Sequence, residues 1–249
     1  MDIYRHFAQV YDAFMVDTPY EQWAGYIDNV LHNHGVSKGS LILDLACGTG
    51  TMAFLMAQKG YDLIGIDVSE DMLSEAYTKM YEASLNVLFL NQDMRVFELY
   101  GTVDAVYSSC DGLNYLLAED DLEMVSKNVL LYLNPGGVFI FDLKMDCKYR
   151  QLGEDTFYDD IDDISYVWKN KYNPDTCINE YQVEFYFQGE ESAEKTLAFI
   201  ETHHQRAYDV ETVMDILKQA GFGMISVYDN YTQNPAQSDS ERLVFVAQK

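Results

Sequence analysis

The chain has 249 residues, with 41 Asp plus Glu against 16 Lys plus Arg and a formal net charge of −25. That length suits one elaborated domain or a domain carrying an insertion, and a hydrophobic content of 48% excludes a disordered chain despite the charge. So acidic a chain repels polyanions at long range, which argues against nucleic acid or an anionic membrane surface as its main partner.

Trp23, Tyr26, Ile27, Val30 and Leu31 recur at helical spacing over 20–34, and Gly35 stops that helix. Strands and helices then alternate. Residues 41–45 predict a short apolar strand, 51–59 a helix and 61–66 a second strand. Ser69 caps a helix over 70–81. Strands follow at 86–90 and 103–108, then a helix at 120–133. Asn134-Pro135-Gly136-Gly137 reads as a turn into the strand 138–142. The pattern predicts an α/β fold, a Rossmann-like, mostly parallel sheet with helices on both faces.

The pattern changes after residue 143. An acidic stretch at 154–163 precedes three segments of period two, at about 164–172, 178–188 and 195–207. Asn173-Pro174-Asp175 and Gly189-Glu190-Glu191 link them. Tyr181, Val183, Phe185 and Phe187 share one face of the middle segment, which predicts an antiparallel meander with one buried side. A helix over 209–220 ends at Gly221, and strands at 223–229 and 242–247 form a C-terminal antiparallel hairpin. Residues 1–143 and 209–249 are thus expected to form a cofactor-binding core, with 144–208 inserted as an antiparallel β lid.

No apolar stretch approaches the ~20 residues that span a bilayer, and residues 1–6 lack a secretory apolar core. Cys47, Cys110, Cys147 and Cys177 stand far apart, with no His at zinc-ligand spacing. The expectation is a cytoplasmic protein with free thiols, no metal site and no membrane partner. The oligomeric state is not legible.

The segment 43–50, LDLACGTG, joins the first strand to the next helix. Small residues there let a ligand approach the backbone and the helix N-terminus. Alone, it is equally a tight turn or, read over Gly48-Thr49-Gly50-Thr51-Met52-Ala53, a G-x-G-x-x-A dinucleotide fingerprint. Asp67 ends the second strand 17 residues after Gly50, where a carboxylate takes ribose hydroxyls, and Asp93 follows the third, within reach of an adenine amino group. Three acids along one sheet edge suit a single adenosine ligand. Asp44 would repel a pyrophosphate but suits an ammonium and a sulfonium. The physics favours S-adenosylmethionine over a nicotinamide dinucleotide.

At these residues the chain resembles the class I S-adenosylmethionine-dependent methyltransferases. The resemblance rests on LDLACGTG at 43–50, GIDVSEDML at 65–73, NQDM at 91–94, VDAVYSS at 103–109 and NPGGVFIFDL at 134–143. It covers the core from about 38 to 143, and the tail 208–247 fits the family's last helix and reversed hairpin. The segment FAQVYDAFM at 7–15 looks like the N-terminal helix of the small-molecule branch. The resemblance implies that Asp44, Ala46, Gly48 and Gly50 line the methionine end of the cofactor. It places Asp67 on the ribose, Val68 and Met72 beside the adenine, Asp93 and Met94 at the adenine edge, and Ser109 and Cys110 at the sulfonium. Tyr11 is then a closing residue, although an N-terminal packing stripe explains it as well. Ala46 departs from the loop glycine that the family often carries there.

Methyl transfer needs position and a water-poor site more than a protein nucleophile. A base matters where the acceptor arrives protonated. Candidates are His203, His204, Asp111 and Asp142, each of which also reads as a strand, turn or capping residue. His203 and His204 alternate, so only one faces the cleft. The implied function is methylation of a small-molecule acceptor. The rivals are a cofactor-binding regulatory or partner protein without turnover and an NAD-dependent oxidoreductase.

Overall fold

A computed structural model describes residues 7–161, 164–188 and 195–249. Five parallel strands carry the core: β1 (Leu41–Leu45), β2 (Asp62–Asp67), β3 (Val87–Asn91), β4 (Val103–Ser108) and β5 (Leu133–Lys144). β11 (Arg242–Gln248) lies antiparallel between β5 and β10 (Met224–Asp229), which gives the order β10-β11-β5-β4-β1-β2-β3. β1 sits between β2 and β4, so the order reverses there and opens a crevice at the carboxyl ends of the strands.

Strand alternation sorts the apolar residues into two cores. Val138 and Ile140 of β5 pack on the side of α2 (Tyr20–Asn33), α3 (Thr51–Gln58) and α4 (Glu70–Ala83). Phe139, Phe141 and Leu143 pack on the side of α5 (Glu119–Tyr132) and α7 (Val210–Ala220). Phe139, Phe141 and Phe245 are at most 1% exposed, and each such burial contributes roughly 1.5–3 kcal/mol. Local signals end the helices as expected. Ser69 Oγ accepts the Met72 N–H at 3.2 Å, and Gly221 takes the left-handed conformation that closes α7.

The turn expected at Asn134-Pro135-Gly136-Gly137 lies inside β5 instead. Leu133 already pairs with Val103, and the register shifts before Val138 pairs with Ala105. The four residues are an excursion of the strand. Gly137 is required there, because a Cβ would stand 2.9 Å from the carbonyl oxygens of Asn134 and Asp104.

The inserted segment holds α6 (Asp146–Leu152) and four strands rather than three. β6 (Thr156–Ile161), β7 (Ile164–Asn173), β8 (Ile178–Gln188) and β9 (Lys195–Arg206) form one antiparallel sheet in that order. β6 comes from the acidic stretch. As an edge strand it pairs on one side only and is exposed, so no apolar alternation announces it, and its charges discourage further pairing. Asp162, Asp163 and the Gly189-Glu190-Glu191 link lie outside the described residues. α1 (Ala8–Phe14) packs Val10, with flanking Phe7 and Phe14, against Tyr181, Val183 and Phe185 of this sheet. Among the described residues, no helix is long and apolar enough to cross a membrane.

Candidate active site

β1 delivers Asp44 to the crevice fully buried. Its Oδ2 accepts a 2.9 Å hydrogen bond from Tyr107 of β4. Burial pushes the Asp44 carboxyl up to about 7; the Tyr107 bond and, more weakly, the Ala53 backbone amide oppose the shift, and the Asp67 charge adds to it. Beyond Leu45 the chain turns through left-handed Ala46, Gly48 and Gly50 before α3 starts. A Cβ at Gly48 would meet no atom within 4 Å, so the loop presents bare backbone.

Asp67, at the end of β2, ties this loop to the next. Oδ2 accepts the Gly48 N–H at 2.8 Å and Oδ1 the Ser69 N–H at 2.9 Å. Burial raises its carboxyl above the usual range, against the pull of those amides. Val68 beside it is 68% exposed, whereas Met72 is buried on α4. Asp93 stands two residues past β3 and is forked by Arg95, whose Nε lies 3.0 Å from each carboxylate oxygen. The Arg95 bond holds the Asp93 carboxyl below its ordinary value. Met94 is half-buried against the α5-side core.

After β4 come buried Ser109, then Cys110 and Asp111 in consecutive left-handed conformations. Two such non-glycine residues in a row store strain. Gly112 lets this loop approach the glycine loop, since a Cβ would lie 3.1 Å from that of Ala46 and 3.0 Å from Ser108 Oγ. Ser108 Oγ is a buried atom without a protein partner.

α1 spans the crevice. Tyr11 Oη lies 3.9 Å from Cys110 Sγ. Asp12 accepts from Thr49 Oγ1 at 2.7 Å and from Lys79 Nζ at 2.6 Å. On the side of the small sheet, Glu201 Oε1 accepts the Phe7 N–H at 3.0 Å.

The four proton-accepting candidates separate. Asp111 is buried between Lys144 Nζ at 3.1 Å and Arg242 Nη2 at 2.8 Å, and Gln205 Nε2 donates to it at 2.8 Å. Burial alone would raise its carboxyl, but the two cations bring it down to about 2. Asp142 accepts from Tyr231 Oη at 2.8 Å, from the Asp111 N–H at 3.1 Å and from Arg242. His204 is outside, 3.0 Å from Glu180. His203 is fully buried on the inner face of β9, with Nδ1 3.3 Å from Tyr115 Oη and Nε2 3.5 Å from Glu201 Oε2. Tyr115 belongs to the short 3-10 turn Gly112–Tyr115 that follows Cys110, and its hydroxyl also bonds that of Tyr181.

A family model described as a methyltransferase domain matches residues 42–137. The chain is 39% identical to the putative methyltransferase YqeM of Bacillus subtilis, over 99% of this chain and 97% of that one. It belongs to the class I S-adenosylmethionine-dependent methyltransferases. A solved S-adenosylmethionine-dependent methyltransferase from Clostridium acetobutylicum shares the fold of this methyltransferase with a TM-score of 0.86 and 28% identity, over 98% of both chains. Across 54% of the methyltransferase, 31% of residues match a dTDP-3-amino-3,4,6-trideoxy-alpha-D-glucopyranose N,N-dimethyltransferase of Streptomyces venezuelae, over 56% of that protein.

The crevice of the methyltransferase gathers Asp44, Ala46, Gly48, Gly50, Asp67, Ser109, Cys110 and Tyr11. Val68 and Met72 stand beyond Asp67, and Asp93 and Met94 follow β3. The group the family implies fits this chemistry, because a buried carboxylate and an unmatched hydroxyl suit a cationic, polar ligand. Sequence reasoning missed Asp12, Tyr107, Tyr115, Glu201 and Arg242. Two had a signal. Tyr107 alternates onto one face of its strand, and Glu201 stands two residues before His203, hence on the same face.

Proposed function

We propose that this methyltransferase binds S-adenosylmethionine across the carboxyl ends of β1, β2 and β4 and methylates a small molecule beneath the four-stranded sheet. The observation that carries the reading is the fully buried Asp44 carboxyl near the end of β1, at the foot of the glycine loop whose Gly48 presents bare backbone. Asp44, Ala46, Gly48 and Gly50 hold the methionine end, and Asp67 takes the ribose hydroxyls on lone pairs its two backbone amides leave free. Val68 and Met72 flank the adenine. Asp93, already paired with Arg95, shares its carboxylate with the adenine amino group next to the Met94 backbone. Ser109 and Cys110 border the sulfonium, and Tyr11 closes over it on α1.

When bound, S-adenosylmethionine supplies an activated methyl group whose sulfur leaves without charge. The protein's own work is positional. α1 and the lid, residues 144–208, shut out water, and the lid shapes the acceptor space. Among the four candidates the geometry favours His203 as the group that receives the acceptor's proton. Asp111 and Asp142 are committed to Arg242 and Lys144, and His204 faces away. The four free cysteines agree with a reducing cytoplasm, and the net charge of −25 with an acceptor other than nucleic acid.

Calorimetry with S-adenosylmethionine and its demethylated product tests the cofactor claim. Absence of binding to the wild type overturns it, and unchanged binding to Asp67→Ala removes the ribose assignment. A methyl-labelled cofactor incubated with a cell extract tests the acceptor class. Label is expected in the small-molecule fraction, and label in protein or RNA overturns that part.

A further inference from the structure

We propose that Asn114 is a positioning residue that couples the loop bordering the cofactor sulfonium to the lid, so that cofactor binding tightens the sheet over the acceptor. The inference rests on the preceding placement of the sulfonium beside Ser109 and Cys110. The chain leaves the core for the lid at Lys144, the last residue of β5, and β9 brings it back at Arg206. These two strands belong to different sheets, so no ladder joins them. The Asn114 side chain does. It is fully buried in the turn Gly112–Tyr115. Its Nδ2 donates to the Lys144 carbonyl at 3.0 Å and to the Arg206 carbonyl at 2.8 Å, while its Oδ1 accepts the Lys144 N–H at 2.9 Å.

The position needs two donors and an acceptor on one short stem, which an asparagine amide supplies. An aspartate would face two carbonyl oxygens without a donor, and an alanine would leave three backbone groups without this partner. The neighbours of Asn114 repeat the tie. Asp111 accepts from Gln205 Nε2 at 2.8 Å and from Lys144 Nζ at 3.1 Å, and Tyr149 Oη donates to Gln205 Oε1 at 2.9 Å. Arg206 Nη1 donates to the Leu117 carbonyl at 3.1 Å. Residues 111–117 thus grip both ends of the lid. The same segment adjoins the cofactor loop, because Cys110 precedes it and a Cβ on Gly112 would crowd Ala46. A ligand that orders this turn therefore orders the roots of the lid through contiguous contacts.

Hydrogen exchange of the lid strands tests this without an acceptor. The full chain, free and saturated with the demethylated cofactor, is followed by mass spectrometry over residues 164–188. Binding should slow exchange there about tenfold in the wild type and less than about twofold in Asn114→Ala. Coupling is reciprocal, so the variant should also bind the demethylated cofactor about tenfold more weakly. Gln205→Met cuts only the neighbouring tie at Asp111 and should lose part of the effect, and it carries the comparison if Asn114→Ala does not fold. His204→Gln, next along β9 on the outer face, should behave as wild type. A residue that merely stabilised the turn would speed exchange with and without ligand alike and leave the ligand-induced difference intact. That outcome in both variants, or a wild-type lid indifferent to the bound ligand, overturns the proposal. Protection of residues 43–52 and calorimetry read the cofactor site separately, so a failure to bind there counts against the preceding reading instead.

Discussion

Tyr107 donates a hydrogen bond to Asp44 from directly across the β1–β4 ladder, while the Ala53 backbone amide at the start of α3 adds a weaker pull on the same carboxyl. The pair holds a carboxylate in a place where its charged form is disfavoured. Its folded value of about 7 exceeds the ordinary 3.8. Between those two values the native state keeps a proton that the unfolded chain has lost. Stability therefore falls as pH rises from about 4 to about 7. Asp44→Asn should remove this slope, leaving a protein more stable than wild type at pH 8 by on the order of 2–4 kcal/mol and not at pH 4. The same change should weaken S-adenosylmethionine. Denaturant unfolding at the two pH values and calorimetry read the opposite signs.

Ala46 is held at φ 61°, a conformation that costs an alanine about 1–2 kcal/mol. Glycine removes that strain but loses roughly 0.5–1 kcal/mol through the entropy of the unfolded chain. Ala46→Gly should therefore stabilise by up to about 1 kcal/mol, measured by chemical denaturation. A loss of stability would mean that the methyl group packs usefully against the Gly112 loop.

Gly65 on β2 touches the ring of Phe89, and a Cβ there would lie 2.7 Å from the ring and 2.9 Å from Cys47 Sγ. Phe89 cannot swing aside easily, because Phe54 and Tyr77 pack edge-on to it. Gly65→Ala should cost about 1–3 kcal/mol by overpacking and weaken cofactor binding through Asp67, two residues on. Adding Phe89→Leu should restore part of the stability, and a double-mutant cycle measures how much.

Asp111 has its carboxyl at about 2, below the ordinary 3.8, because Lys144 and Arg242 outweigh its burial. Its contribution is complete above about pH 4 and is lost as pH falls towards 2. Asp111→Asn should destabilise by about 3 kcal/mol at neutral pH, and the gap to wild type should close in acid. A pH-rate profile that keeps its shape in this variant separates a structural Asp111 from a proton-transferring one.

The Asp12–Lys79 pair is partly exposed, so its loss should change stability by less than about 1 kcal/mol. Asp12 nevertheless fastens α1 to Thr49 of the glycine loop. Asp12→Ala should therefore speed dissociation of the demethylated cofactor in stopped flow, with the melting temperature little moved. Unchanged dissociation would remove α1 from the closing role proposed for it.

The core was legible because its signals are local. Ser69 and Gly221 end helices through bonds to near neighbours, and the buried strands read as apolar runs. β6 was not, since an exposed edge strand has no buried face to impose alternation. The Asn134-Pro135-Gly136-Gly137 excursion misled for a related reason. Turn residues serve a bulge as well as a turn, and only the pairing of Leu133 with Val103 tells them apart.

By itself the sequence determined the order of strands and helices in the core, the glycine loop and the acids at strand ends, because each depends on residues a few positions apart. Tertiary structure decided what those acids face. Asp44 meets Tyr107 63 positions away, and Asp142 meets Arg242 100 positions away. Such partners follow from sheet order and register, which no local window encodes.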